Sequence, residues 1–220
     1  MLVALWRSPD ADVASLLDGW APAALKDENV RACTISFAEA DQGAFAKGDP
    51  VDVVIALGLE RAHDLDDVPE RGALYSIARE VNVWRVDVRR PIVWERTWSD
   101  GTDAPGVKMV SFMRRAEGLS HEQFVRHWTE NHTPLAQRHH VGLWNYTQNV
   151  VRRPFTPGGA EIDGVAELHF RSRDAYEHEF FDSDAGRAVI MADVAQFMAR
   201  PGRESALMRE RTLLTPESKT

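Results

Sequence analysis

Eight histidines are present, and seven of them (His121, His127, His132, His139, His140, His169 and His178) lie in the second half, leaving His63 alone in the first. Imidazole is the side chain whose charge changes near neutral pH, so proton chemistry is sought in the second half. His132 is the best placed of the seven. On a helix starting at Ser120, with about 100° per residue, Phe124, Leu135, Trp128, His121, His132, Val125 and Ala136 share an arc of about 120°. Glu122, Gln123, Arg126 and Glu130 fall outside it, so His132 points toward the buried side. Pro134 has no N–H, and it disfavours α geometry at Thr133. The helix is therefore expected to kink or break just after His132, with a free carbonyl near Glu130. An inward imidazole beside such a break can serve as a general base or acid; it can equally be a hydrogen-bonded core residue.

Its expected neighbours follow from the strands. Glu167 and Asp163 share a strand face with His169, and either carboxylate could orient His132 or simply be part of a solvated face. Trp128, Phe124 and Tyr146 are expected to form the apolar wall of a small-molecule site, with Gln148 and Asn149 offering hydrogen bonds. No metal site is expected. His127 and His132 are five residues apart, which does not share one face of an α-helix, and Cys33 is the single cysteine. Gly-x-Gly-x-x-Gly and Gly-x-Ser-x-Gly are absent from the sequence, which removes a dinucleotide fold and a serine-hydrolase elbow. The chemistry left needs only positioned side chains and no organic cofactor. Two other readings stand beside it: a haem enzyme or carrier with a histidine axial ligand, and a non-catalytic binding or assembly protein.

The elements that must position these residues are clearest after residue 107. Lys108–Arg114 reads as a strand, and Ser120 with Gln123 is a capping box that starts a helix. Leu143–Val151 and Gly164–Phe170 read as strands, the latter with Ala166, Leu168 and Phe170 on one face and Val165, Glu167 and His169 on the other. Two helical pieces divided at Ser183 and a closing strand Ser205–Leu214 complete a β-α-β-β-α-β order. The first half offers the same order less clearly: Met1–Trp6, a helix near Pro9–Leu25, Arg31–Phe37, Val51–Leu57, a helix near Val68–Ala78, and Val83–Trp94. Sliding the halves by 108 residues sets Met1 on Met109, Leu16 on Phe124, Leu17 on Val125 and Trp20 on Trp128. The expected fold class is α+β: tandem ferredoxin-like units forming an α+β barrel pseudo-dimer. Its boundaries are 1–98, a Gly/Pro/Asp linker at 99–106, 107–214, and a tail at 215–220.

From Lys108 to Thr212 the sequence resembles the EthD family of the dimeric α+β barrel group. The motifs are Gly118-Leu119-Ser120, Phe124 with Trp128, Asn131-His132-Thr133-Pro134-Leu135, Tyr146-Thr147-Gln148-Asn149, Asp163-Gly164-Val165-Ala166-Glu167-Leu168 and Ser183-Asp184-Ala185-Gly186-Arg187-Ala188. The resemblance implies a site between helices and sheet, with His132 at the position of the histidine usually suspected of function. It implies an enzyme of catabolism or aromatic-polyketide metabolism, of isomerase, cyclase, dehydratase, decarboxylase or monooxygenase type, acting on a hydrophobic carbonyl- or phenol-bearing molecule. The first half lacks the motif, since Ala24 stands where His132 would fall.

Charge and composition narrow the partners. Residues 1–106 carry 11 Lys+Arg against 19 Asp+Glu, and residues 107–220 carry 15 against 15. Neither half supplies the basic patch that nucleic acid requires. No apolar run is long enough to cross a membrane, and the N-terminus reads as a strand rather than a leader, so a cytoplasmic protein is expected. The two units are expected to pair within the chain, with homodimerisation an option beyond that.

Overall fold

A computed structural model describes residues 1–7, 15–43, 51–159, 161–199 and 204–216. Eight strands close into one antiparallel barrel: β1 (Leu2–Arg7), β2 (Val30–Ala38), β3 (Val53–Leu59), β4 (Ala78–Ile92), β5 (Val107–Met113), β6 (Leu143–Pro154), β7 (Gly164–Phe170) and β8 (Glu204–Leu214). Around the barrel the order is β1-β3-β2-β8-β5-β7-β6-β4. Two seams, β2 with β8 and β4 with β6, join strands of the first half to strands of the second. Closure leaves no strand edge unpaired.

Helices cover the outside. In the first half these are Ser15–Trp20 continuing into α1 (Ala21–Ala24), then α2 (Arg71–Ile77). In the second they are α3 (His121–Arg126), a wide turn His127–His132, α4 (Thr133–His139), α5 (Arg173–His178) and α6 (Asp184–Phe197). Ser120 and Gln123 form the expected capping box, and Ser183 caps α6 through the Gly186 N–H. The expected helix near Pro9–Leu25 is seen from Ser15 onward; its beginning and the side chain of Leu17 lie outside the described residues.

Strand alternation sorts the apolar residues into three cores. Val3, Leu5, Ile35, Ile55 and Val83 face the first-half helices with Leu16 and Trp20. Met109, Tyr146, Ala166 and Leu168 face the second-half helices with Phe124, Trp128 and Phe197. Leu2, Trp6, Trp84, Phe112 and Val165 fill the barrel interior. Every residue of β5 and β7 is buried, because one face meets helices and the other the barrel. Ala24, opposite His132 in the sliding comparison, is a buried core residue.

Candidate functional site

The helix carrying His132 runs on unbroken through Pro134. Thr133 keeps helical angles (φ −55°, ψ −48°), and its N–H reaches the Trp128 carbonyl five residues back. The Thr133 hydroxyl also donates to that carbonyl at 2.9 Å. A π-helical turn over 127–132 thus absorbs the proline without a free end. It also changes which residues share a face. Residues five apart come into line on such a turn, so His127 and His132 point the same way, contrary to the α-helical expectation.

Both rings converge on Asp193 of α6. His132 Nδ1 lies 2.8 Å from Asp193 Oδ2, and His127 Nε2 lies 2.8 Å from Asp193 Oδ1. Burial would raise the Asp193 carboxyl, but the bonds from His132 and His127 outweigh this and hold it below the usual aspartate range. An ionised carboxylate only accepts, so His132 donates from Nδ1, and in the neutral ring the acceptor nitrogen is Nε2.

His132 forms part of the wall of a cavity of about 70 Å³ between the sheet and the second-half helices. Trp128, Ala166, Leu168, Ile190 and four methionines (Met109, Met113, Met191 and Met198) make it apolar. Its polar groups are His132, His140, Tyr146 and Ser111. Tyr146 accepts at its oxygen from Trp128 Nε1 at 2.9 Å and from Gln148 Nε2 at 3.1 Å. Gln148 is held by a further bond of 2.9 Å to the Thr133 hydroxyl. With two donors on its oxygen, the phenol has its own hydrogen left to offer. Burial pushes its pKa up to about 12, so that hydrogen stays in place at neutral pH. His140 donates from Nδ1 to the Phe180 carbonyl at 2.6 Å, and burial lowers its pKa to about 4.

Of the expected site residues, the fold brings His132, Trp128 and Tyr146 together at this cavity and takes the others elsewhere. Phe124 is fully buried behind the wall, its ring tilted against Trp128 at 5.7 Å and Phe197 at 5.6 Å. Glu167 and Asn149 are on the barrel side of the sheet, where Glu167 accepts from Lys108 Nζ at 2.6 Å and from Asn149 Nδ2 at 2.7 Å. They alternate with Ala166, Leu168 and Gln148, which lie on the helix side of the sheet, so neither can reach His132. Lys108 also bonds Glu210 at 2.7 Å. Asp163 ties β7 to the start of α3 instead: its carboxylate meets Arg115 Nη1 at 2.6 Å and His121 Nδ1 at 2.9 Å. The carboxylate that orients His132 is Asp193. A sequence signal for it existed, since Asp193 interrupts the apolar spacing Val189, Ile190, Val194, Phe197 along α6.

A second cavity of about 180 Å³ lies inside the barrel, with Trp6, Trp84, Phe112 and Glu80 in its wall. It is larger, but no histidine is among its lining residues; chemistry rather than size selects the His132 cavity. Among the described residues no group of three His, Cys, Asp or Glu side chains has metal-binding geometry. No helix among them is long and apolar enough to cross a membrane.

Residues 116–201 match the EthD domain family. Three solved structures resemble the chain. An anthrone oxidase-like protein superposes with a TM-score of 0.63 at 11% identity, covering 96% of this chain and 91% of its own. A candidate monooxygenase from Lactobacillus acidophilus NCFM gives 0.50 at 10% identity, covering 97% and 95%. An EthD family protein from Bacillus halodurans C-125 gives 0.35 at 20% identity, covering 47% of this chain and 94% of its own. The first two share the fold over nearly the whole chain. No curated protein matches the sequence.

Proposed function

We propose that this chain is a cofactor-independent enzyme that uses His132 as a general base on a flat, apolar ketone or phenol, in a reaction of oxidase or monooxygenase type. The observation that carries the reading is the Asp193–His132 pair at 2.8 Å on the wall of an apolar cavity that also holds the Tyr146 hydroxyl. His132 Nε2 takes a proton from a ring carbon made acidic by conjugation with a carbonyl. The Tyr146 O–H donates to the oxygen on which negative charge collects. Asp193 offsets the charge of the resulting imidazolium. The carbanion is electron-rich enough to react with dioxygen directly, which is why no organic cofactor enters. With anthrone, loss of one ring-methylene proton to His132 and addition of dioxygen give a peroxide anion, which takes that proton back to become a hydroperoxide. Loss of the second methylene proton with cleavage of the O–O bond then forms the new carbonyl and releases water, so anthrone plus dioxygen become anthraquinone plus water.

Size sets a condition. A cavity of about 150 Å³ accepts benzene, so the resting volume here, about 70 Å³, admits a ring only if side chains swing aside. Four unbranched methionines make that inexpensive, and Met191 stands half-exposed at the outer side.

We also read the barrel as two ferredoxin-like units, residues 1–98 and 107–214 joined by 99–106. What supports this is the permutation: β4-β1-β3-β2 in one half and β8-β5-β7-β6 in the other are the same order, each strand four places on. The first unit then serves to close the barrel.

The functional reading is tested with anthrone in air-saturated buffer, following anthraquinone formation by absorbance. Wild type should turn it over, and His132→Ala should lose about 10²–10⁴-fold in kcat while keeping its circular-dichroism spectrum. Equal rates in the two proteins would end the base assignment.

A further inference from the structure

The π-helical turn brings a second histidine to Asp193, and nothing in the base role of His132 explains it. Both oxygens of one carboxylate are taken, each by an imidazole at 2.8 Å. His127 is the outer member: its side chain is 18% exposed, against 10% for His132 and 9% for Asp193. Its plane is fixed by stacking on Phe197, with centroids 4.9 Å apart and 20° between planes. His132 packs on the same Phe197 ring at 5.2 Å.

We propose that His127 is a positioning residue that holds Asp193 for His132 and takes solvent protons in its place. The inference rests on the base role proposed for His132. One carboxylate can offset one positive charge, and two imidazoles compete for it. A proton arriving from solvent meets His127 first, on the exposed side, and charges it. That spends the Asp193 charge on His127 and disfavours a second proton on the buried ring next to it. A proton taken from substrate inside the cavity goes to His132 while His127 is neutral, and Asp193 then serves the inner ring. The pair works as one titrating unit.

Other groups around the pair do not compete. From α6 only Asp193 faces both rings. From the end of α4, His140 is held neutral by burial. From β6, the Tyr146 phenol keeps its hydrogen until about pH 12. His139 is occupied by Asp182 at 2.9 Å.

Two variants of the full chain separate the roles. His127→Gln keeps an N–H donor for Asp193 without a titrating charge, and His127→Phe keeps only the stacking. With anthrone as probe, and rates normalised to each protein's own plateau, the acid limb for His127→Gln should move up by about one pH unit. His127→Phe should lower kcat at all pH values with KM little changed, because Asp193 loses one of its two anchors. Superposable normalised profiles for wild type and His127→Gln would overturn the proposal. A readout without substrate keeps this distinct from the base reading itself. In wild type the Cε1–H NMR signals of His127 and His132 should each respond to two proton-binding steps. In His127→Gln the His132 signal should follow one. Should anthrone not react at all while this two-step coupling is present, the functional reading fails and the charge-sharing stands. A single-step His132 titration in wild type removes the charge-sharing.

Discussion

Lowering the pH from 7 to 5 should destabilise this protein before its carboxylates begin to protonate, and two buried histidines set the size of the effect. His140 and His169 both have their pKa lowered from 6.5 to about 4, chiefly by burial. Each ring donates one bond, His140 to the Phe180 carbonyl and His169 Nε2 to the Pro105 carbonyl at 2.9 Å, which favours the charged ring but does not offset the burial. The unfolded chain binds these protons at about 6.5 and the folded one does not, so stability is full above that value and declines as pH falls toward about 4. At pH 5 the unfolded state is about 1.5 pH units into this window, which is about 2 kcal/mol for each ring and about 4 kcal/mol for both. Against a total of about 5–15 kcal/mol for an ordinary domain, that is a large loss. Urea unfolding followed by tryptophan fluorescence at pH 7, 6 and 5 measures it. His140→Phe, which lacks the titrating ring, should lose only about half as much between pH 7 and 5, although less stable at pH 7 because the bond to the Phe180 carbonyl is lost. A wild-type stability that is level from pH 7 to 5 would refute the reasoning.

Three further outcomes follow from single contacts. Lys108→Met leaves Glu167 and Glu210 buried without their shared cation, which should cost about 3–5 kcal/mol at pH 7 and less near pH 4, where the carboxyls take up protons; denaturant unfolding at the two pH values reads both. Gly164→Ala places a methyl 2.5 Å from the Trp128 ring, so it should cost about 1–3 kcal/mol and slow anthrone turnover by pressing that ring into the cavity. His139→Ala breaks only the contact with Asp182 outside the cavity; its turnover should stay within about twofold of wild type, as expected of a group with no part in the transition state.

Much of the fold was legible because strand and helix periods are local. The β7 boundaries, the Ser120 capping box and the Ser183 cap were all readable from residue types alone. The site was harder because its assembly depends on which face of the sheet meets helices. Glu167 and Asn149 carry suitable chemistry, yet alternation sends them into the barrel, where Lys108 engages Glu167. Polar residues inside a closed barrel look in sequence like a solvated face. The π-helical turn was also hidden: a spacing of five residues implies divergent faces on an α-helix, and only the pattern around Pro134 made the wide turn favourable. Asp193 was overlooked since it comes from a different helix, 61 residues from His132.

The central claim is most directly tested by a crystal structure of the protein with anthraquinone, the expected product from anthrone, bound. The account predicts the flat ring system between the sheet and the second-half helices, with the four methionines displaced. One carbonyl oxygen should accept from Tyr146 Oη, and the opposite ring carbon, the one deprotonated in anthrone, should face His132 Nε2. Density for the ligand in the cavity lined by Trp6, Trp84 and Phe112 instead, with the His132 cavity unchanged, would contradict it.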